Sequence, residues 1–148
     1  MPSLEKIAAW KATKYKPYQA MYPCRPPTES SIGRIEQALG IILPATFIEF
    51  SRLVPNYGSW FGSIGDDFDS WMHIVELNKT FHEADEDSIA LPDEFIMINH
   101  GHDGHCDCFD RTKRSTTNEY PIYYLNVESP KEPKLMATTF HDYLEHHA

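Results

Sequence analysis

Residues 95–110, FIMINHGHDGHCDCFD, restrict the fold more than any other stretch of this chain. Phe95, Ile96, Met97 and Ile98 form an apolar run that enters a turn rich in His, Gly and Asp, and residues 106–110 leave it. Asp103-Gly104 is a strong turn signal, because both residue types tolerate the positive φ that tight hairpin turns demand. The stretch predicts a β-hairpin. It also gathers His100, His102, His105, Cys106 and Cys108, so a metal-binding reading has to be weighed beside the structural one.

Upstream, the pattern is helical. Residues 4–15 predict a short helix with Ser3 as N-cap, placing Leu4, Ile7, Ala8 and Tyr15 on one side and Lys6, Lys11 and Lys14 away from it. Residues 16–28 hold four prolines and predict a connector, with Cys24 a lone thiol. Ile32, Ile35 and Leu39 recur at helical spacing, and Gly40 ends that helix. Pro44 opens another, whose buried face is expected to comprise Phe47, Ile48, Phe50, Leu53 and Val54.

Between this helix pair and the hairpin, residues 59–70 read as a surface loop and residues 71–74 as a short strand. Residues 75–84 carry helical spacing through Leu77 and Phe81. After the hairpin, residues 111–119 are turn-like. Residues 121–127 form the strongest strand by composition, expected to be buried on both faces, and residues 129–134 form a Pro-containing loop. A closing helix follows, with Thr139 as N-cap, Asp142 three residues on, and Phe140, Tyr143, Leu144 and His147 along one side. The chain of 148 residues therefore predicts a single α+β domain, helices flanking a largely antiparallel β-sheet.

Charge narrows the function. The net of −9 is unevenly distributed: residues 60–110 carry thirteen acidic side chains against one basic one, Lys79, whereas residues 1–59 are net basic. Nucleic-acid binding needs Lys and Arg to neutralise phosphates, so the acidic middle argues against it. It suits a partner with a basic surface, or else is a solvated face that aids solubility. No apolar run reaches membrane-spanning length and no signal-peptide core opens the chain, so a cytoplasmic location is expected.

Three site classes compete. For metal, alternation along a strand puts Cys106 and Cys108 on one face and His105, Asp107 and Phe109 on the other. That leaves no four-ligand set on one face, and two packed thiols with exposed turn histidines are the expectation: no metal and no cofactor. For catalysis, no nucleophile elbow and no phosphate loop is present, and Asp66, Asp67 and Asp69 read as solvated carboxylates; no catalytic residue is assigned. For binding, the 59–71 loop sets Trp60, Phe61, Phe68 and Trp71 among those aspartates. Aromatic anchors with steering charges suit a protein interface, although either tryptophan taken alone is more often a core residue. The candidate partner-binding set is Trp60, Phe61, Asp66, Asp67, Asp69 and Asp103.

An ordered series of short features resembles the SUKH superfamily, the Smi/Knr-type domain. It begins with the helix pair through Ile35-Glu36, Leu39-Gly40, Leu43-Pro44, Phe47 and Phe50. Asn56-Tyr57-Gly58 with Trp60 follows, then Leu91-Pro92, the turn from Gly101 to Gly104 and the strand Cys106 to Asp110. Pro121-Ile122-Tyr123 and the closing Phe140–Leu144 segment complete it. The resemblance divides the chain into an N-terminal helix and connector over 1–30 and a SUKH-like domain over 31–148. It implies an α+β fold without enzymatic activity. Bacterial members are similar to immunity proteins that bind and neutralise a cognate polymorphic toxin, often a nuclease, and fungal members look like regulatory scaffolds.

Overall fold

Alternating apolar side chains let one strand pair feed two cores at once, and the computed structural model is built around that pair. It describes residues 3–14, 16, 24–55, 62–65, 73–83, 89–101 and 104–146. Strands β1 (Phe95–His100), β2 (His105–Asp110), β3 (Ile122–Asn126) and β4 (Ser129–Ala137) form one sheet in that order, each neighbouring pair antiparallel. Helices α1 (Leu4–Lys14), α2 (Glu29–Leu39) and α3 (Ala45–Leu53) precede it, α4 (Ile74–His82) lies just before β1, and α5 (Phe140–His146) closes the chain. The fold is a single-domain α+β arrangement. Gly104 turns the hairpin with φ +80°, the conformation that the Asp-Gly pair signals.

The sheet register sorts the side chains. Ile96, Phe109, Ile122 and Ala137 stand opposite one another in successive strands and share one face. That face packs with Ile7, Ile35, Leu43, Phe47, Phe50 and Phe140 in the larger core. Phe95, Met97, Cys106, Cys108 and Leu125 occupy the other face, with Leu77 and Leu91 laid over them. Helix α4 serves both cores: Ile74 enters the first and Leu77 the second. Between them, the buried side chain of Asn78 accepts from the Met97 N–H at 2.7 Å and donates to the Met97 carbonyl at 2.9 Å. A side-chain amide thus pairs the edge of β1 much as another strand would.

The helix termini follow local chemistry. Thr28 caps α2 in a reciprocal box with Ser31: the Ser31 N–H donates to the Thr28 hydroxyl at 3.1 Å and the Thr28 N–H to the Ser31 hydroxyl at 2.8 Å. Gly40 ends α2 in the left-handed region, φ +69°. The hydroxyl of Thr139 accepts from the Asp142 N–H at 3.1 Å and starts α5.

Five expectations need correction. Residues 129–134 are not a loop but most of β4, because pairing with β3 supplies the hydrogen bonds that composition alone does not announce. Two prolines and two lysines along β4 are consistent with its place at the sheet edge. Of the 71–74 segment, residues 71 and 72 lie outside the described residues; His73 makes a bridge to Ser63 and caps α4, and Ile74 is already helical. Leu53 is exposed and Ile48 half-buried, since the core side of α3 is taken by Phe47, Phe50 and Ser51. Strand β3 buries Ile122 and Leu125 fully but leaves Tyr123 and Tyr124 half-covered.

The fifth correction is Lys11, which lies inside. It follows Ile7 by four residues and Leu4 by seven, which is the buried stripe of α1. Burial, reinforced by the charge of Lys14, lowers its amine to about 8. The folded state therefore binds fewer protons than the unfolded chain between about pH 8 and the ordinary value of 10.5. Stability should rise with pH across that window, and Lys11→Met should remove this part of the slope. Chemical denaturation of both proteins at several pH values measures the difference, and identical slopes would contradict the assignment.

Residues 62–65 thread against residue 24. A Cβ added to Gly65 would lie 1.8 Å from the Cys24 sulfur and 3.0 Å from the Arg25 carbonyl oxygen. Gly65→Ala is expected to cost about 1–3 kcal/mol through overpacking. Adding Cys24→Ala should recover part of that loss, because the next atom of residue 24 is 3.5 Å away. Strict additivity of the two changes in denaturant melts would show that the contact is absent.

Candidate interaction surface

Of the binding set expected from sequence, Trp60, Phe61, Asp66, Asp67, Asp69 and Asp103 all lie outside the described residues, as do Phe68, Trp71 and His102. Asp85, Glu86 and Asp87 also lie outside the described residues, and the remaining acids of the stretch divide in two. Glu76, Glu83, Asp93 and Glu94 are exposed. Asp107 and Asp110 are buried and belong to the scaffold. The Asp107 carboxylate accepts from the Tyr143 hydroxyl at 2.6 Å and from the Asn99 amide at 3.2 Å, tying α5 to the hairpin. Asp110 accepts from the Thr112 N–H at 3.0 Å and its hydroxyl at 2.6 Å, with Lys113 3.7 Å away. Buried and hydrogen-bonded within the fold, these two carboxylates present little surface to a partner.

The hairpin ligand types separate as strand alternation requires. Cys106 and Cys108 lie side by side with their sulfurs 3.6 Å apart. Burial, then the bond to Cys106, pushes the Cys108 thiol well above its usual range, which makes it a packed, unreactive group. His105 stacks on Tyr124 on the other face, ring centres 4.7 Å apart, whereas His100 stands opposite Cys106 and lies against Phe81 at 4.8 Å. Among the described residues, no group of three His, Cys, Asp or Glu side chains is placed to hold a metal ion.

Sequence reasoning read residues 111–119 as turn-like but gave them no partner; the 111–121 segment fixes the helix pair to the sheet. The Arg111 guanidinium donates to the Gly40 carbonyl at 2.9 Å, the Tyr120 hydroxyl to the Ile42 carbonyl at 2.8 Å, and the Asn118 amide to the Leu43 carbonyl at 3.0 Å. Thr46, in the first turn of α3, donates its hydroxyl to the buried Glu119 carboxylate. The link between α2 and α3 is also held from within, its Leu43 N–H donating to Glu36 at 2.7 Å. Asn118 reaches this position with φ +58°, a conformation Asn tolerates better than most residues. The only hint in the sequence was the polar, turn-forming composition, which names no partner.

Among the described residues, two concave surfaces border the helix pair. One, of about 380 Å³, lies between α2, α4 and the start of β1, and carries Lys79, His82, Arg111, Glu83 and Asp93. The other, of about 610 Å³, runs between α2 and α3; Ile32 and Ile48 line it, with Glu29, Glu36, Glu49 and Arg52 around them.

Compared with models of protein families, residues 26–146 match the SMI1 / KNR4 family (SUKH-1). The chain belongs to this family. The match begins in the capping segment of α2 and ends at the last residue of α5, so the helix pair, the clasping turn and the whole sheet are SUKH-1 structure. Helix α1 precedes the matched region, yet its Leu4, Ile7 and Ala8 sit in the main core of the SUKH-1 unit. A comparison with curated proteins gives no match. Among the described residues no helix is long and apolar enough to cross a membrane.

Proposed function

We propose that this SUKH-1 protein is a cytoplasmic immunity protein, not an enzyme, that binds and neutralises a cognate toxin through an acidic face. The observation that carries this reading is the family match over residues 26–146. The acidic excess of residues 60–110 supports it and points to a toxin with a basic surface, a nuclease domain being the natural case. Trp60, Phe61, Asp66, Asp67, Asp69 and Asp103 form the proposed contact set, with the exposed Glu76, Glu83, Asp93 and Glu94 adding to the field.

Co-expression with the product of the adjacent upstream gene tests the class. Growth rescue together with a stable complex is the expected result. The triple change Asp66→Asn, Asp67→Asn and Asp69→Asn is then expected to weaken toxin binding about tenfold or more, chiefly by slowing association at low salt. Unchanged affinity would remove these residues from the interface while leaving the function standing. An adjacent product that is neither toxic nor captured would favour the second reading, a Smi/Knr-type regulatory scaffold with endogenous partners.

A further inference from the structure

We infer that the groove between α2 and α3 is a docking site for a cationic amphipathic helix of the partner. The inference goes beyond the contact set proposed above, at a different surface, and rests on the immunity reading only for the partner's identity.

Helical spacing assigns each wall. Ile32 and Glu36 lie four residues apart on α2, with Glu29 one turn before Ile32; Ile48 and Arg52 lie four apart on α3, with Glu49 beside them. Three carboxylates face one guanidinium, so the groove is acidic although residues 1–59 are net basic as a stretch. The floor is apolar: Ile32 is buried and Ile48 half-covered. An apolar floor with an acidic rim is complementary to a helix with an apolar stripe flanked by Lys or Arg.

The surface is also held in shape before any partner arrives. The bonds from Arg111, Asn118 and Tyr120 to the 40–43 carbonyls, and from Thr46 to Glu119, fasten the α2–α3 link to the 111–121 segment. Docking then costs little ordering of the receptor, which favours affinity from a modest area.

The test uses the ¹⁵N-labelled full chain and two synthetic helical peptides, one of Leu and Lys and one of Leu and Glu with the same spacing. The Lys peptide is expected to shift amides concentrated in residues 29–53, more weakly as salt rises, and the Glu peptide to shift none. Glu29→Lys with Glu49→Lys should weaken the Lys peptide at least tenfold while the amide spectrum stays that of a folded protein; both side chains are exposed, and Glu36 is left intact because it holds Leu43. Shifts centred on another surface, equal binding of the Glu peptide, or an unaffected double variant would overturn the inference. Hydrogen exchange on the complex with the co-expressed toxin separates the two claims. Rescue with residues 29–53 unprotected sinks the groove and spares the immunity function. No rescue, with the Lys peptide still localised to 29–53, does the reverse.

Discussion

Phe47→Ala is expected to lower the unfolding free energy by about 3–5 kcal/mol, the range for emptying a buried aromatic site. Phe47 is 0% exposed and stands where three elements meet. Its ring meets Phe109 of β2 edge-on at 5.5 Å and Phe140 of α5 at 5.0 Å. Phe140 in turn meets Phe50 at 5.7 Å and Tyr143 at 5.7 Å, so the ring joins α3 to both the hairpin and the closing helix. The loss combines buried area, edge-to-face contacts and the cavity left behind. Phe47→Leu should retain a large part of the stability, because it keeps most of the volume. Urea melts of the two variants give the comparison. A loss below about 1 kcal/mol for Phe47→Ala would mean that the surrounding core collapses into the space.

Asn78→Leu should cost a comparable amount by a different route. Leu has the same branching as Asn, but its methyls cannot approach the Met97 N–H and carbonyl at the 2.7 and 2.9 Å that the amide does, so the site must widen slightly and two buried backbone groups of Met97 lose their partners. Each orphaned group costs about 1–3 kcal/mol. The Ile74 carbonyl also loses a donor that now reaches it at 2.9 Å. Asn78→Asp should be less damaging at the N–H, where a carboxylate oxygen still accepts, and unfavourable at the Met97 carbonyl. A local readout separates this from general destabilisation: the Met97 amide should exchange with solvent far faster in Asn78→Leu than neighbouring amides of β1. Retained protection at Met97 would show that another group seals this edge.

These two positions illustrate why part of the molecule is legible from sequence and part is not. Phe47 follows from helical spacing, because a 3.6-residue period names the inward face of α3 without reference to any other element. Asn78 does not. A polar residue within a helical run reads as solvent-facing, and only the approach of β1 turns it into a strand partner. The same holds for Asp107, which counts as one more acid in the sequence but is spent on Tyr143 in the fold. Lys11 is the converse, since the spacing alone would have placed it inward, beside Ile7 and Leu4, had its charge not suggested otherwise.

The site shows the same division. The charge excess of residues 60–110 is a property of the sequence and survives folding as Glu76, Glu83, Asp93 and Glu94 at the surface. The α2–α3 groove is not, because its carboxylates belong to a stretch whose net charge is positive. Summed charge along a chain averages over faces that point in opposite directions.

By itself, the sequence determined the α+β class, the hairpin with Gly104 at its turn, the Gly40 end of α2, the Thr139 start of α5, and the family. All of these rest on interactions between residues close along the chain, or on an ordered series of short motifs. Only the tertiary structure decided that residues 129–134 pair as an edge strand, that Leu53 stays in water, and that the 111–121 turn clasps the helix pair. Each depends on groups far apart in sequence, whose hydrogen bonds and burial exist only once the sheet and helices have been brought together.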